Sequence, residues 1–262
     1  MDARLPIAVF DSGMGGVSVL RALRVLLPRE DYLYFGDSAN APYGVRPYEE
    51  ILELSRAAVA HLVGEGIKAL VVGCNTVTSV AVKTLREENP NLIIVATEPA
   101  VKPAALAKPG GTILVMATDA TVHGDNFLSL VHRYGDDAKI VKCPCPGLME
   151  FVERGETDSK QLRAYLRKRF EILDGVKPDS VVLGCTHYPF VSGAIQAVLG
   201  EDVMLFDPAP GIARQAKRRL AAAGLLNPQT GEGEIRWENS STDPNMIELG
   251  KRLLKQNNFR KL

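Results

Sequence analysis

The sequence predicts an α/β protein built from two related halves, each a mainly parallel sheet flanked by helices. Two observations carry this. Short apolar runs alternate with amphipathic helical stretches, the pattern of strand–helix–strand units. One of these units also occurs twice. Val181-Val182-Leu183-Gly184-Cys185-Thr186-His187-Tyr188-Pro189 reads as a buried strand that stops at a cysteine and turns into a helix. Leu70-Val71-Val72-Gly73-Cys74-Asn75-Thr76 has the same apolar run, glycine, cysteine and polar pair, with its cysteine 111 residues earlier.

The echo extends in both directions. Ile94-Val95-Ala96-Thr97-Glu98-Pro99-Ala100 follows the first cysteine and Leu205-Phe206-Asp207-Pro208-Ala209 the second. Ile7-Ala8-Val9-Phe10-Asp11-Ser12 resembles Ile113-Leu114-Val115-Met116-Ala117-Thr118. The expectation is two pseudo-symmetric three-layer α/β domains, residues 1–97 with 208–262 and residues 98–207. Each presents one thiol at a strand end, where open α/β sheets bind ligands. Two matched thiols point to a site in the cleft between the halves.

In the first half, strands are expected at Leu5–Phe10, Asp31–Phe35, Ile67–Val72 and Leu92–Ala96. Helices carry Val17, Leu20, Leu23 and Leu27, then Ile51, Leu54, Ala58 and Leu62, then Ser79–Glu88. Gly36–Gly44 is a turn-rich loop. The second half reads as strands Thr112–Ala117, Ala138–Lys142, Ser180–Leu183 and Asp202–Phe206. Its helices are Asn126–Arg133, Leu148–Arg154, Ser159–Leu173 and Pro189–Leu199, with loops at Thr118–Asp125 and Cys143–Gly147. The tail from 208 has no counterpart in the repeat. It offers a helix over Pro210–Ala223, a short strand at Glu234–Trp237 and a helix opening at Asp243-Pro244. It is expected to pack on the first half.

Bulk properties narrow the function. The chain has 262 residues, 46% hydrophobic and 24% charged, ordinary for a globular protein. Lys+Arg and Asp+Glu are both 31, so no net field points to nucleic acid or an anionic membrane. No apolar run approaches the roughly 18 residues of a spanning helix, and the N-terminus does not read as a signal peptide. The cytoplasm is the expected location. Four cysteines do not make a disulfide scaffold. Cys143-Pro144-Cys145 matches no zinc spacing, so no metal is expected.

Several residues are candidates for chemistry. Asp11-Ser12-Gly13-x-Gly15-Gly16 follows a strand and opens a helix, a place for a small carboxylate. It is neither Gly-x-Gly-x-x-Gly nor a P-loop, and its glycines equally serve a tight turn. Cys74 and Cys185 are each readable as small buried apolar residues. That reading weakens for two thiols at equivalent strand ends, each followed by polar side chains. A thiol's reference pKa of about 8.5 suits acid–base work. His187 is placed to orient or protonate Cys185. Thr118, Asp119 and Thr121 end the strand equivalent to the one at Asp11; their hydroxyls cap the next helix or bind a substrate. Glu153 alone reads as a surface acid.

These residues, with Tyr34-Phe35-Gly36-Asp37, Pro42-Tyr43-Gly44, Glu98-Pro99-Ala100 and Gly184-Cys185-Thr186-His187-Tyr188-Pro189, resemble the glutamate racemases of bacterial cell-wall synthesis, in the aspartate/glutamate racemase family. The resemblance spans most of the chain. It implies two pseudo-symmetric α/β domains, a homodimer, no cofactor, and Cys74 and Cys185 as the proton acceptor and donor. It implies that Asp11 assists Cys74, that Glu153 and His187 assist Cys185, and that Asp11, Ser12, Tyr43, Gly44, Asn75, Thr76, Thr118, Thr121, Thr186 and His187 hold glutamate. Two places depart from the family pattern: Asp207-Pro208-Ala209-Pro210, where Asp-Ser-Gly is usual, and Gly73, where alanine is usual. The rival readings are an aspartate or other amino-acid racemase of the same layout, a one-cysteine hydrolase or transferase using Cys185 with His187 as base, and a non-catalytic carboxylate-binding or partner-binding protein.

Overall fold

The protein is described here by a computed structural model covering residues 2–135 and 138–256. The chain divides into two compact units, one of Met1–Thr97 with Ala209–Leu254, the other of Glu98–Pro208 joined by Lys255 and Gln256. Residues 257–262 of the tail lie outside the described residues.

The chain order is β1 (Ile7–Asp11), α1 (Val17–Leu26), β2 (Tyr32–Gly36), α2 (Tyr48–Gly64), β3 (Ala69–Val72), α3 (Asn75–Val80), α4 (Val82–Glu88) and β4 (Ile93–Ala96). The second unit follows with α5 (Val101–Ala107), β5 (Thr112–Ala117), α6 (Asp119–His123), α7 (Asp125–Tyr134), β6 (Lys139–Pro144), α8 (Leu148–Glu153), α9 (Lys160–Phe170), β7 (Ser180–Gly184), α10 (Ser192–Leu199) and β8 (Met204–Phe206). The tail gives α11 (Ala209–Ala222), β9 (Ile235–Asn239) and α12 (Asn245–Lys255).

The first sheet has the order β4-β3-β1-β2-β9, with every pairing parallel. Side chains alternate across it with period two. Ala8, Phe10, Leu33, Leu70 and Val72 share one core with Ile51, Val59 and Leu62 of α2, Val77 of α3 and Leu85 of α4. Ile7, Val9 and Val71 are equally buried on the other face, where α11 packs on α1 and reaches β4. Burial on both faces explains why these strands are nearly continuous apolar runs.

The tail completes this unit by adding β9 beside β2, with Tyr34 opposite Trp237. Two buried contacts anchor its approach. Glu30 accepts a hydrogen bond from the Asn227 amide at 2.8 Å and pairs with Lys68, both side chains being buried. At Gly233 the backbone passes so close to Glu30 that a Cβ would fall 1.8 Å from the Glu30 carbonyl oxygen.

The second sheet has the order β6-β5-β7-β8, again all parallel. Read from its far edge it is β8-β7-β5-β6, the order of β4-β3-β1-β2. The register agrees as well. Phe10 stands opposite Val72 and Met116 opposite Leu183. Val71 stands opposite Val95 and Val182 opposite Phe206. These are the pairs that the repeat aligns.

Local departures from the expected elements have physical causes. The helix expected at Ser79–Glu88 begins earlier, directly after Cys74, and breaks at Ala81 into α3 and α4. The β-branched Thr76-Val77-Thr78 run hid it. A 3-10 turn at Tyr188–Val191 precedes α10, so that helix starts at Ser192 rather than Pro189. Helix α5, which carries Pro103, is absent from the elements expected from the sequence. Pro103 sits in the first turn, where a missing N–H costs nothing. Within the expected loop Thr118–Asp125 lies the short helix α6. Strand β6 runs through Cys143 and Pro144, which were expected in a loop. Edge strands tolerate proline, and β6 is an edge.

The Lys68–Glu30 pair yields a prediction. Lys68→Met strands the Glu30 carboxylate in the interior, and breaking such a pair typically costs about 3–5 kcal/mol. Urea unfolding is expected to show a loss of that order; a midpoint within error of the parent would contradict it.

Candidate active site

In the first unit, β1 and β3 are neighbours, so Asp11-Ser12 and Gly73-Cys74 leave the sheet side by side at its carboxyl edge. Cys74 Sγ lies 3.3 Å from Ser12 Oγ. Cys74 is the residue before α3, and its carbonyl accepts bonds from the Thr78 amide and hydroxyl, each at 3.0 Å. Asp11 is fully buried, and its Oδ1 accepts the Gly13 amide at 3.0 Å. A Cβ at Gly73 would come within 3.3 Å of Asp11 Oδ2 and of Gly16 Cα. The glycine here therefore gives room to the Asp11 carboxylate behind the thiol.

Asn75 and Thr76 follow, both buried. Neither Oδ1 nor Nδ2 of Asn75 has a hydrogen-bond partner among the described residues. A buried polar group left so costs about 1–3 kcal/mol, so this amide calls for a polar ligand. Tyr43 is buried in the same core cluster as Cys74. Its hydroxyl donates to Asp37 Oδ2 at 2.5 Å. Burial and that carboxylate raise the phenol well above its usual range, so it stays neutral. Asp37 also accepts two bonds from Asn40 Nδ2, at 3.0 and 3.1 Å. Asp37 thus fixes the turn carrying Tyr43 and Gly44. The sequence reading gave it no role, although it stood in the Tyr34-Phe35-Gly36-Asp37 run.

In the second unit, β7 ends at Gly184 and Cys185 follows, half-buried. Cys185 Sγ lies 3.7 Å from His187 Nδ1, and His187 Nε2 lies 3.0 Å from Glu153 Oε1. Glu153 is the last residue of α8, 34 residues earlier in the chain. It is therefore no plain surface acid: thiol, imidazole and carboxylate form one line. His187 is 2% exposed. Burial by itself would lower its pKa. The hydrogen bonds to Cys185 and Glu153 outweigh burial and hold it well above the ordinary histidine value. Thr186 is buried beside them.

Thr118 caps α6. Its Oγ1 accepts the Thr121 amide at 3.3 Å and lies 2.9 Å from Thr121 Oγ1. This is the capping alternative of the sequence reading. Thr118 ends β5 as Ser12 ends β1. Among the described residues, no three His, Cys, Asp or Glu side chains form a metal-ligating group.

Cys74 after β3 and Cys185 after β7 thus stand at equivalent strand ends of the two units, each with its own polar partners. Residues 14–216 match the Asp/Glu/Hydantoin racemase family. The chain belongs to this family. The glutamate racemase of Herpetosiphon aurantiacus is 47% identical to it over 239 residues, which are 91% of this chain and 93% of that one. That of Clostridium novyi (strain NT) is 43% identical over 252 residues, 96% and 97% of the two chains. Among solved structures, the glutamate racemase of Thermus thermophilus in complex with β-chloro-D-alanine aligns with a TM-score of 0.81 at 38% identity. It covers 97% of this chain and 94% of that one. The α/β architecture with parallel sheets is that of the family.

The Glu153–His187 contact makes a prediction. A pKa raised above the unfolded value of about 6.5 adds stability that is full below that pH and fades as pH rises through the folded-state pKa. Glu153→Gln removes one of the two supports. Histidine NMR is expected to show the His187 titration at lower pH in the variant, with a smaller loss of stability on raising pH through its titration. An unmoved titration would contradict the assignment.

Proposed function

We propose that this protein is a cofactor-independent glutamate racemase that interconverts L- and D-glutamate by two-base proton transfer and supplies D-glutamate for peptidoglycan. The observation that carries this reading is the pair of cysteines at register-equivalent strand ends, in a chain whose curated relatives are glutamate racemases. A cytoplasmic homodimer is part of the proposal. Among the described residues, no helix is long and apolar enough to cross a membrane.

Racemisation takes a proton from one face of the α-carbon and delivers another to the opposite face. Two thiols do this without turning the substrate: one acts as thiolate base, the other as thiol acid, and the roles exchange in reverse. In this reading Asp11 tunes Cys74, and His187 with Glu153 tunes Cys185. His187 Nδ1, 3.7 Å from the Cys185 sulfur, is placed to orient it and to exchange a proton with it. The developing carbanion spreads onto the substrate carboxylate and needs donors aimed there. Ser12, Asn75, Thr76, Thr186, Thr118 and Thr121 are the proposed donors, with Tyr43, Gly44, Asp11 and His187 completing the hold on glutamate. The unpartnered Asn75 amide supports this assignment most directly.

The experiment is polarimetric, with each enantiomer of glutamate and aspartate and no added cofactor. Glutamate is expected to lose rotation from either side. Cys74→Ala and Cys185→Ala are each expected to lower kcat by about a hundredfold or more, the scale of acid–base catalysis, while still binding glutamate. Asp11→Asn, Glu153→Gln and His187→Asn are expected to lower kcat more than they raise KM. Turnover of aspartate alone would overturn the substrate; full activity in either cysteine variant would overturn the mechanism.

A further inference from the structure

Cys143 and Cys145 have no part in the reaction proposed above. They flank Pro144 at the end of β6, and residues two apart on a strand project to the same face. Their sulfurs are 3.8 Å apart, and both side chains are buried. The Cys145 thiol also contacts the Cys143 carbonyl oxygen at 3.2 Å. The pair lies close to a way in. β6 is an edge strand, and the next residues, Pro146 and Gly147, are exposed, with Gly147 at φ 86°.

The pair is also joined to the Cys185 segment. The Tyr188 hydroxyl donates to the Cys145 carbonyl at 3.3 Å, and Tyr188 is the residue after His187. The first unit has a parallel arrangement. The Asp37 amide bonds to the Asp11 carbonyl at 2.9 Å, and the Cys145 amide to that of Ala117 at 3.0 Å. Cys145 therefore occupies the place of Asp37, and each position holds a tyrosine.

We propose that Cys143 and Cys145 are a reversible dithiol–disulfide pair, closed by peroxide, whose closure is felt at Cys185 through Tyr188. The Cys145 thiol is turned onto the Cys143 carbonyl oxygen and the contact between the sulfurs lowers the Cys143 thiol, so the scheme starts at Cys143. Cys143 attacks one oxygen of hydrogen peroxide. An S–O bond forms, the O–O bond breaks, and the departing hydroxide takes up a proton as water. The Cys145 thiol then attacks the sulfenic sulfur. The S–S bond forms, the S–O bond breaks, and a second water leaves with the thiol proton. Two electrons pass from the sulfurs to the peroxide. Closure moves the sulfurs from 3.8 Å to about 2.0 Å, pulling on the Cys145 backbone that holds Tyr188. A ring closed over a single proline is strained, and strained disulfides are the readily reduced ones. None of this depends on the racemase reading.

The test uses the reduced full-length chain, hydrogen peroxide, iodoacetamide and trypsin. Cleavage after Lys142 and Arg154 yields Cys143–Arg154, which carries both thiols and neither Cys74 nor Cys185. At a peroxide dose that leaves Cys185 reduced, this peptide is expected to be lighter by two hydrogens, to resist alkylation, and to recover with dithiothreitol. Fragment ions separate this from oxidation of Met149. Cys143→Ser is expected to leave Cys145 alkylatable after the same treatment. Two alkylated sulfurs, or added oxygen on either sulfur in place of the lost hydrogens, would overturn the pair. In the closed form, the rate at which iodoacetamide modifies Cys185 is expected to change several-fold, because moving Tyr188 shifts the neighbouring His187 against the Cys185 sulfur. An unchanged rate would overturn the link through Tyr188.

Discussion

Parallel pairing of β1 with β3, and of β5 with β7, decides where both candidate thiols emerge. With Phe10 opposite Val72, the chain after each strand turns at the same edge, and Ser12 meets Cys74. With Met116 opposite Leu183, Cys185 leaves the second sheet at the matching step. A slip of one residue in either pairing would turn every side chain to the other face and part each cysteine from the polar groups beside it. That register rests on the buried apolar faces of the strands, so the core and the chemistry answer to the same constraint.

The two thiols share a backbone frame but have different surroundings. Cys74 has the Ser12 hydroxyl close by and a glycine behind it that makes room for the Asp11 carboxylate. Cys185 has a buried imidazole held from behind by Glu153. The two anchors differ in the same way. Asp37 grips Tyr43 through a carboxylate, whereas Cys145 grips Tyr188 through a backbone carbonyl.

Much of this was legible in the sequence because burial on both faces leaves apolar runs that locate the central strands closely. The repeat aligned Phe10 with Met116 and Val72 with Leu183, and the register sets Phe10 opposite Val72 as it sets Met116 opposite Leu183. Elements without an apolar period were harder to read. Helix α3 hides in Asn-Thr-Val-Thr, α5 carries a proline, and β6 takes in Cys143 and Pro144 as only an edge strand can. Within the site, residues next to the cysteines were readable from their neighbours. Glu153 was not: its meeting with His187 spans 34 residues and depends on how α8 packs, and only the family resemblance suggested it. Asp37 was missed because its work is done on Tyr43 rather than on a candidate base.

The central claim is that two different groups remove and supply the α-proton. Heavy water tests it most directly. With one enantiomer of glutamate as substrate, two-base transfer predicts that product isolated at early times carries deuterium at the α-carbon while recovered substrate stays protonated. Mass spectra of the separated enantiomers give both quantities from one sample. Equal label in substrate and product would contradict the two-base account, and no label in either would contradict proton transfer altogether.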